Sequence, residues 1–232
     1  MMKIAKTFSA SWPRGSSALA SCLIVALFAT FPSGVFAQSG AANTNPNSLV
    51  PPNFGELTAK WWKWATETPA ASNPVFGDTT GVNCAVGQSG NVWFLAGGLP
   101  GAGPVTRYCT IPAGKILLIP VSDNVYVPFK TDPIRNAVFS RMSATDTTVN
   151  LKAEIDGTPV LNLSDYRIQA KAFAILLPAD NLFGLAAGPY APCAADGTYL
   201  PIVLPAGMHT IHVHGEFADG SFEDATAILT VL

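Results

Sequence analysis

Residues 147–157 have the sequence TTVNLKAEIDG, and this stretch decides the fold class. Apolar side chains occupy every second position, the period of a β-strand with one buried face. These positions are Val149, Leu151, Ala153 and Ile155. Asp156 and Gly157 follow directly and are a strong signal for a hairpin turn. The stretch therefore predicts a half-buried strand that ends in a tight turn.

The same apolar alternation and turn residues recur along the rest of the chain. They predict further strands over residues 91–96, 105–111, 115–127, 166–169, 173–177, 199–204, 209–217 and 225–231. Gly, Pro and Ala dominate residues 178–197, which predicts a loop. About nine strands joined by tight turns indicate a mostly β protein, a two-sheet β-sandwich of the jelly-roll or immunoglobulin-like kind.

One segment has helical periodicity instead. Residues 54–68, FGELTAKWWKWATET, carry apolar side chains at helical spacing at Leu57, Trp61, Trp64 and Ala65. They predict one short N-terminal helix that Pro69 ends. Trp62 lies on the flank of the apolar stripe, so it is a candidate for an exposed ring that binds a ligand such as a glycan. The alternative is that the whole tryptophan cluster is packed. Residues 134–142 could add one or two helical turns.

The first 37 residues have the pattern of a cleavable signal peptide. Lys3, Lys6 and Arg14 precede an apolar run over residues 19–31, and Ala37 ends a cleavage site. The run is about 13 residues long, shorter than the roughly 20 that span a bilayer. The sequence therefore predicts an exported, periplasmic or extracellular protein without stable membrane insertion, although an uncleaved signal anchor is the alternative. Residues 38–53 are predicted to be a flexible leader, and residues 54–232 a single domain.

Charge and motifs exclude several function classes. Beyond residue 37 the chain has 10 Lys and Arg and 15 Asp and Glu residues, a formal charge of −5. No basic patch stands out, so nucleic acid is not an expected partner. The segment GQSG at residues 87–90 is a turn rather than a nucleophile elbow. The chain also lacks a phosphate-binding glycine loop and a Cys-x-x-Cys motif.

Three cysteines remain beyond residue 37. Cys84 and Cys109 flank one predicted strand and are the natural disulfide pair in an oxidising compartment. Cys193 is then left over as a buried thiol, an intermolecular link or a reactive group.

The three histidines offer the most specific chemical signal. His212 and His214 share one face of a predicted strand, where two imidazoles can chelate Zn²⁺, Cu²⁺ or Fe²⁺. Glu216 is a candidate additional ligand, and so is His209 if the turn before it directs its side chain to the same face. Glu223 or Asp224 of the next strand could also contribute. The alternative is that these residues only build a strand.

Carboxylates give a weaker signal. Glycosidases use two carboxylates, and the candidates here are Asp78, Asp123, Asp219, Glu223 and Asp224. Their spacing is not diagnostic, and solvation at the surface is the default expectation for such side chains.

The run NPVFGDTTGVNCAVGQSGNVWFLAG (73–97) follows WWKW (61–64) and precedes RYCTIPAGKILLIPV (107–121). This pattern resembles a set of exported bacterial proteins of uncharacterised function. The stretches AEIDGTPV (153–160) and DGTYLPIVLPAGMHTIHVHG (196–215) are similar to the same set. The resemblance implies an exported β domain with Cys84 and Cys109 paired, and it implies no activity.

Two classes of function follow from these patterns. The first is a non-catalytic exported domain that binds a small molecule, a glycan or a protein. The second is a metal-dependent oxidoreductase or hydrolase centred on His209, His212 and His214. A polysaccharide-active enzyme that uses carboxylates is a weaker third. A sandwich fold hosts all three and does not choose between them.

Overall fold

The computed structural model describes residues 54–128 and 146–232. The predicted signal peptide, the leader and the short helix over residues 134–142 lie outside the described residues. The described part of the chain is mostly β, with two sheets and one α-helix, which confirms the predicted fold class. No helix in the part of the chain that the structure describes is long and apolar enough to cross a membrane.

Within residues 54–128 and 146–232, ten strands follow one α-helix in chain order. Helix α1 spans Phe54–Glu67. The strands are β1 Val92–Phe94, β2 Val105–Ile111, β3 Ile116–Tyr126, β4 Thr148–Ile155, β5 Thr158–Pro159, β6 Arg167–Gln169, β7 Phe173–Leu177, β8 Gly188–Ile202, β9 Gly207–Phe217 and β10 Phe222–Val231. Short 3₁₀ turns occupy Ala70–Ser72 and Leu163–Tyr166.

The strands form two five-stranded sheets. The first has the order β1-β3-β8-β6, and β7 pairs with the other part of β8. The second has the order β2-β10-β9-β4-β5. The pairs β1–β3 and β2–β10 are parallel, and the others are antiparallel.

The main core lies between the sheets. Ile119 of β3 and Leu200 of β8 belong to the same buried cluster as Ile211 of β9 and Leu229 of β10. In β9 and β10 buried side chains alternate with more exposed ones, because only one face of the second sheet meets this core. The alternation found in the sequence thus reflects a sheet with one covered face.

A second core lies between α1 and the other face of the first sheet. Trp61 and Trp64 pack there with Leu118 and Tyr199. The side chain of Trp61 donates from Nε1 to the carbonyl oxygen of Leu95 (2.9 Å), so this buried indole has a hydrogen-bond partner. The first sheet is consequently covered on both faces, by the second sheet and by the helix.

The end of α1 is closed by the side chain of Asn73, which is fully buried. Its Nδ2 donates to the carbonyl oxygens of Ala65 (2.8 Å) and Thr68 (2.9 Å), and its Oδ1 accepts from the amide of Val75 (2.9 Å). Carbonyls in the last turn of a helix have no partner within the helix. The side-chain amide of Asn73 supplies a hydrogen-bond donor for these carbonyls, and the chain turns away from the helix at this point.

The predicted loop over residues 178–197 is only partly a loop, because β8 begins at Gly188. The first part of β8 pairs with β7. The register of this pairing shifts between Phe173 and Ile175 of β7, and the residues of β8 opposite this shift are Ala191 and Pro192. Proline is tolerated in sheets at bulges, where no ladder hydrogen bond is required of it. The Pro and Gly content therefore concealed a strand.

Candidate functional site

A cleft of about 540 Å³ opens between α1 and the turn at residues 87–92. We call it the helix cleft. Its walls combine apolar side chains, such as Trp64 and Phe94, with polar ones, such as Lys60 and Ser89. Small-molecule sites typically have volumes of roughly 300–1,000 Å³ and apolar walls with a few polar groups. The helix cleft matches this description.

The helix wall is the polar side of an amphipathic helix. Lys60, Lys63 and Glu67 are spaced by three and four residues and therefore lie along one face. Trp61 and Ala65 point into the core on the other side and fix the rotation of the helix. The same hydrophobic pattern that holds α1 on the sheet thus presents two lysines to the cleft.

The opposite wall is a turn that several hydrogen bonds hold in place. Nε1 of Trp64 donates to the carbonyl oxygen of Val86 (2.8 Å). The next residue, Gly87, has a φ of 69°, and a Cβ there would lie 3.1 Å from Cδ1 of Trp64. Glycine adopts this left-handed conformation without steric cost. The turn can therefore approach the helix closely.

Gln88 and a disulfide fix the rest of this wall. Nε2 of Gln88 donates to the carbonyl oxygens of Cys84 (3.0 Å) and Phe94 (2.8 Å), and its Oε1 accepts from the amide of Phe94 (3.0 Å). Cys84 is bonded to Cys109 in β2, with a Cα–Cα distance of 5.9 Å. The predicted disulfide is confirmed. It fastens the segment before the turn to the second sheet.

Positive charge predominates over negative charge at the helix cleft. Lys60 is exposed and Lys63 is half-buried, and neither belongs to the ion pairs formed among the described residues. Nζ of Lys115 donates to the carbonyl oxygen of Gly90 (2.5 Å), so a third ammonium group lies at the rim. Glu67 provides a carboxylate, whose Oε1 accepts a hydrogen bond from the amide of Leu176 (2.9 Å).

The structure brings two of the three histidines together on the outer face of the second sheet. Oδ2 of Asp224 lies 2.8 Å from Nδ1 of His214, and its Oδ1 lies 3.3 Å from Nε2 of His212. Nε2 of His214 lies 3.1 Å from Oε1 of Glu216. Both ring nitrogens of His214 thus face carboxylates. The described residues contain no group of three or more His, Cys, Asp or Glu side chains arranged to hold a metal ion.

His209 points to the opposite face of β9. It is 2% exposed, its Nδ1 lies 2.8 Å from Oδ2 of Asp156, and its Nε2 lies 3.0 Å from the carbonyl oxygen of Pro205. Side chains three positions apart in a strand lie on opposite faces, and no turn rotates this one back. His209 therefore joins β9 to the β4–β5 hairpin and lies apart from the other two histidines.

Trp62, the candidate for an exposed ring, is buried, as in the alternative of a packed tryptophan cluster. It is 7% exposed, and its ring meets that of Trp61 edge-on at a centroid distance of 5.0 Å. The helix contacts β6 and β7 as well as the face of the first sheet, so its flank is also covered. The periodicity located the main apolar stripe, but it could not reveal a second contact surface. In this structure Trp62 packs in the core.

Two of the carboxylates considered for catalysis lie close to each other, one on each sheet. Asp123 of β3 and Glu223 of β10 lie beside Tyr199 of β8, whose hydroxyl donates to Oδ2 of Asp123 (2.8 Å). Burial raises the pKa of Asp123 to about 7. Burial and the neighbouring Asp123 carboxyl raise the pKa of Glu223 well above its usual value. The pair is thus held largely in its neutral form at acidic pH.

The remaining candidate carboxylates hold local backbone. Asp78 accepts hydrogen bonds from the amides of Thr80 (2.8 Å), Gly81 (2.7 Å) and Asn83 (2.8 Å). Burial opposes the ionisation of Asp78, but these hydrogen bonds outweigh it and lower its pKa. Asp219 accepts from the amide of Ser221 (2.9 Å). These arrangements build turns.

Cys193 is a free and fully buried thiol. Its Sγ donates to the carbonyl oxygen of Tyr190 (3.3 Å), and burial raises its pKa to about 11. A thiol in this environment stays protonated and unreactive at neutral pH. Of the three roles considered for Cys193, the structure favours the buried thiol.

Comparison with known proteins adds little to this description. No protein-family model matches the sequence, and no curated protein is similar to it. One chain of the solved structure of PbICP-C in complex with falcipain-2 is similar to it at 13% sequence identity and a TM-score of 0.26. The match covers 62% of this chain and all of the other. At this level of similarity the match supports no statement about fold or function.

The helix cleft was not predicted from the sequence. Two signals were present, the lysines on the polar side of α1 and the glycine-rich turn at residues 87–90. Their meeting depends on the contact between Trp64 and Val86, which joins residues 22 positions apart. Nothing in either segment alone indicates that contact.

Proposed function

We propose that this protein is an exported, non-catalytic binding domain that holds a small molecule in the helix cleft. The observation that carries the proposal is the cleft itself, a ligand-sized space with aromatic and polar walls. The disulfide, the Gln88 bridge and the bond from Trp64 to Val86 keep one wall fixed without a ligand. A site formed in advance binds without the entropic cost of ordering its walls.

The lining of the helix cleft supports binding rather than catalysis. Among the described residues that line it, none is His, Cys or Asp, and the carboxylate of Glu67 is held by the amide of Leu176. The histidines and paired carboxyls lie on β3, β9 and β10, and they bond to one another or to backbone. The titratable groups within reach of a bound molecule are Lys60, Lys63 and Glu67, and neither lysine belongs to an ion pair among the described residues. The described lining therefore does not show the paired nucleophile and base that are typical of a catalytic site.

Two fluorescent dyes with one aromatic skeleton test this function. They are the neutral phenylnaphthylamine and the anionic anilinonaphthalenesulfonate, titrated against the purified full chain. We expect at least one to bind with saturation. Ser89→Trp should abolish this binding, because Ser89 is an exposed lining residue and the indole would fill the cleft. Val82→Trp is the matched control, since Val82 is 83% exposed and is not part of the lining.

Binding that Ser89→Trp leaves unchanged would place the dye elsewhere and contradict the proposal, as would the failure of both dyes to bind. Circular dichroism and thermal unfolding of each variant separate a filled cleft from a misfolded chain. Both substitutions are at exposed positions in turns, so they should leave the two cores intact.

A further inference from the structure

We infer that the ligand of the helix cleft is a small organic anion, with a carboxylate, phosphate or sulfonate group on an apolar or ring-shaped body. This inference rests on the proposed function and specifies the class of molecule bound. It comes from the distribution of charge around the helix cleft, where Lys60 and Lys63 of the lining, with Lys115 beside Gly90, outnumber the single carboxylate of Glu67.

The charges on the helix wall are available to a ligand. Lys60 and Lys63 form no ion pair among the described residues, whereas the carboxylate of Glu67 already accepts a backbone hydrogen bond. Lys63 is half-buried, so water screens its charge less than that of a fully exposed lysine. An anion that enters the cleft would thus meet two lysines and one carboxylate, so the described lining has an excess of positive charge.

This cationic site contrasts with the rest of the molecule. Within residues 54–128 and 146–232 the chain has seven Lys and Arg and fourteen Asp and Glu residues. Arg107 and Arg167 are used internally, the first by three backbone carbonyls and the second by Asp146 and Asp196. Two of the five lysines in these segments therefore line one cleft and a third lies beside it, with one carboxylate, on an acidic protein. A cleft with an excess of one sign of charge concentrates ligands of the opposite sign.

The hydrogen-bonding groups fit the same class of ligand. A lysine ammonium only donates hydrogen bonds, and the Ser89 hydroxyl and the Asn91 amide at the rim can donate as well. Carboxylate, phosphate and sulfonate oxygens only accept them when ionised. Leu57, Val92 and Phe94 provide an apolar surface below this polar rim. The polar end of the ligand therefore belongs near the lysines and its apolar body against the rings.

The two dyes form a matched pair for this inference, because anilinonaphthalenesulfonate is phenylnaphthylamine with an added sulfonate. We expect the anionic dye to bind at least about fivefold more tightly, which corresponds to about 1 kcal/mol. Lys60→Gln with Lys63→Gln should remove most of this preference, because it should weaken the binding of the anionic dye more than that of phenylnaphthylamine. Lys152→Gln is the control, since Lys152 lies on β4, in the other sheet. Added salt should weaken only the anionic dye.

The outcomes separate the two proposals. If both dyes bind equally, both are blocked by Ser89→Trp and the lysine variant has no effect, the binding function stands and the anion preference is wrong. If the lysine variant still binds the anionic dye more tightly than the neutral one to the same extent, the inferred role of the lysines in anion binding is also wrong. If neither dye binds, or Ser89→Trp has no effect, the binding function itself fails.

Discussion

The backbone amide of Asp123 in β3 donates a hydrogen bond to Oε2 of Glu223 in β10, across 3.3 Å. It is a direct polar link between the two sheets, and the carboxyl of Asp123 in turn accepts from Tyr199. The sheets approach closely here: a Cβ on Gly215 of β9 would lie 2.9 Å from Cβ of Ser122 in β3. Two acidic side chains, a buried Glu223 and a half-buried Asp123, thus lie close together, where both cannot be ionised without cost.

This pair predicts that the protein loses stability as the pH rises. The pKa of Asp123 is raised to about 7 in the folded chain and that of Glu223 is raised as well. Folding therefore favours their neutral forms. The resulting stabilisation is complete below the unfolded-chain values of about 4 and is lost as the pH rises through the folded-state values. We expect the free energy of unfolding to fall by on the order of 2 kcal/mol between about pH 4 and pH 8.

Urea unfolding at a series of pH values measures this loss. Glu223→Gln keeps an oxygen that can accept from the Asp123 amide and removes one titrating group, so its pH dependence should be flatter. Glu154→Gln, at an exposed position in β4, is the control and should follow the unmodified protein. If the free energy of unfolding changes equally with pH in all three proteins, the Asp123–Glu223 pair is not the cause of the pH dependence.

Arg107 is predicted to be essential for the loop that carries Asp78. Its guanidinium donates to the carbonyl oxygens of Asp78 (2.7 Å), Gly97 (2.8 Å) and Val75 (3.0 Å), and the residue is 8% exposed. Lysine has one nitrogen and cannot reproduce this fork of donors. Arg107→Lys should lower the free energy of unfolding by about 2–3 kcal/mol, since buried carbonyls lose their partners. The exposed Lys152→Gln should change it by less than about 0.5 kcal/mol.

The Cys84–Cys109 bond is predicted to support both stability and the helix cleft. It closes a loop with a sequence separation of 25, which corresponds to about 3 kcal/mol in the chain-entropy treatment. A Cys84→Ser, Cys109→Ser protein should therefore unfold at a lower temperature and bind the dyes more weakly, because the turn is less restrained. Dithiothreitol should destabilise the unmodified protein but not this variant. A double variant as stable as the unmodified protein would contradict the prediction.

The metal site proposed from the histidines has a direct test. Both nitrogens of His214 face carboxylates and His209 lies on the other side of β9, so we expect less than about a tenth of an equivalent of bound Zn, Cu or Fe. Elemental analysis of tag-free protein measures it. About one equivalent, lost in His212→Ala and His214→Ala and retained in His209→Ala, would instead establish the metal site.

The alternation of side chains predicted the sheets well and the surroundings of single residues poorly. Along β4 and β9 one face meets the core, so the pattern itself carries the information. The fate of Trp62 depends on β6 and β7 covering the flank of α1, a contact between distant segments. No local pattern encodes it.

The same distinction explains the candidate sites. His212 and His214 were correctly placed on one face, because spacing within a strand determines this. The approach of Asp123 to Glu223 depends on how two sheets pack, and the helix cleft depends on where the turn at residues 87–92 meets α1. In each case the candidate residues could be identified from the sequence, but their neighbours depend on tertiary packing and could not.

Strand β10 lies between β2 and β9, and it pairs with β2 in parallel register from Val105 to Ile111. β2 therefore has no sheet partner until residues 222–231 have been synthesised and brought back to it. Contacts between such distant segments slow folding, because the chain loses the entropy of closing a long loop before the strand pairing contributes any stabilisation. A newly made chain should for this reason remain open for longer than a protein of local hairpins, which would favour the export proposed above.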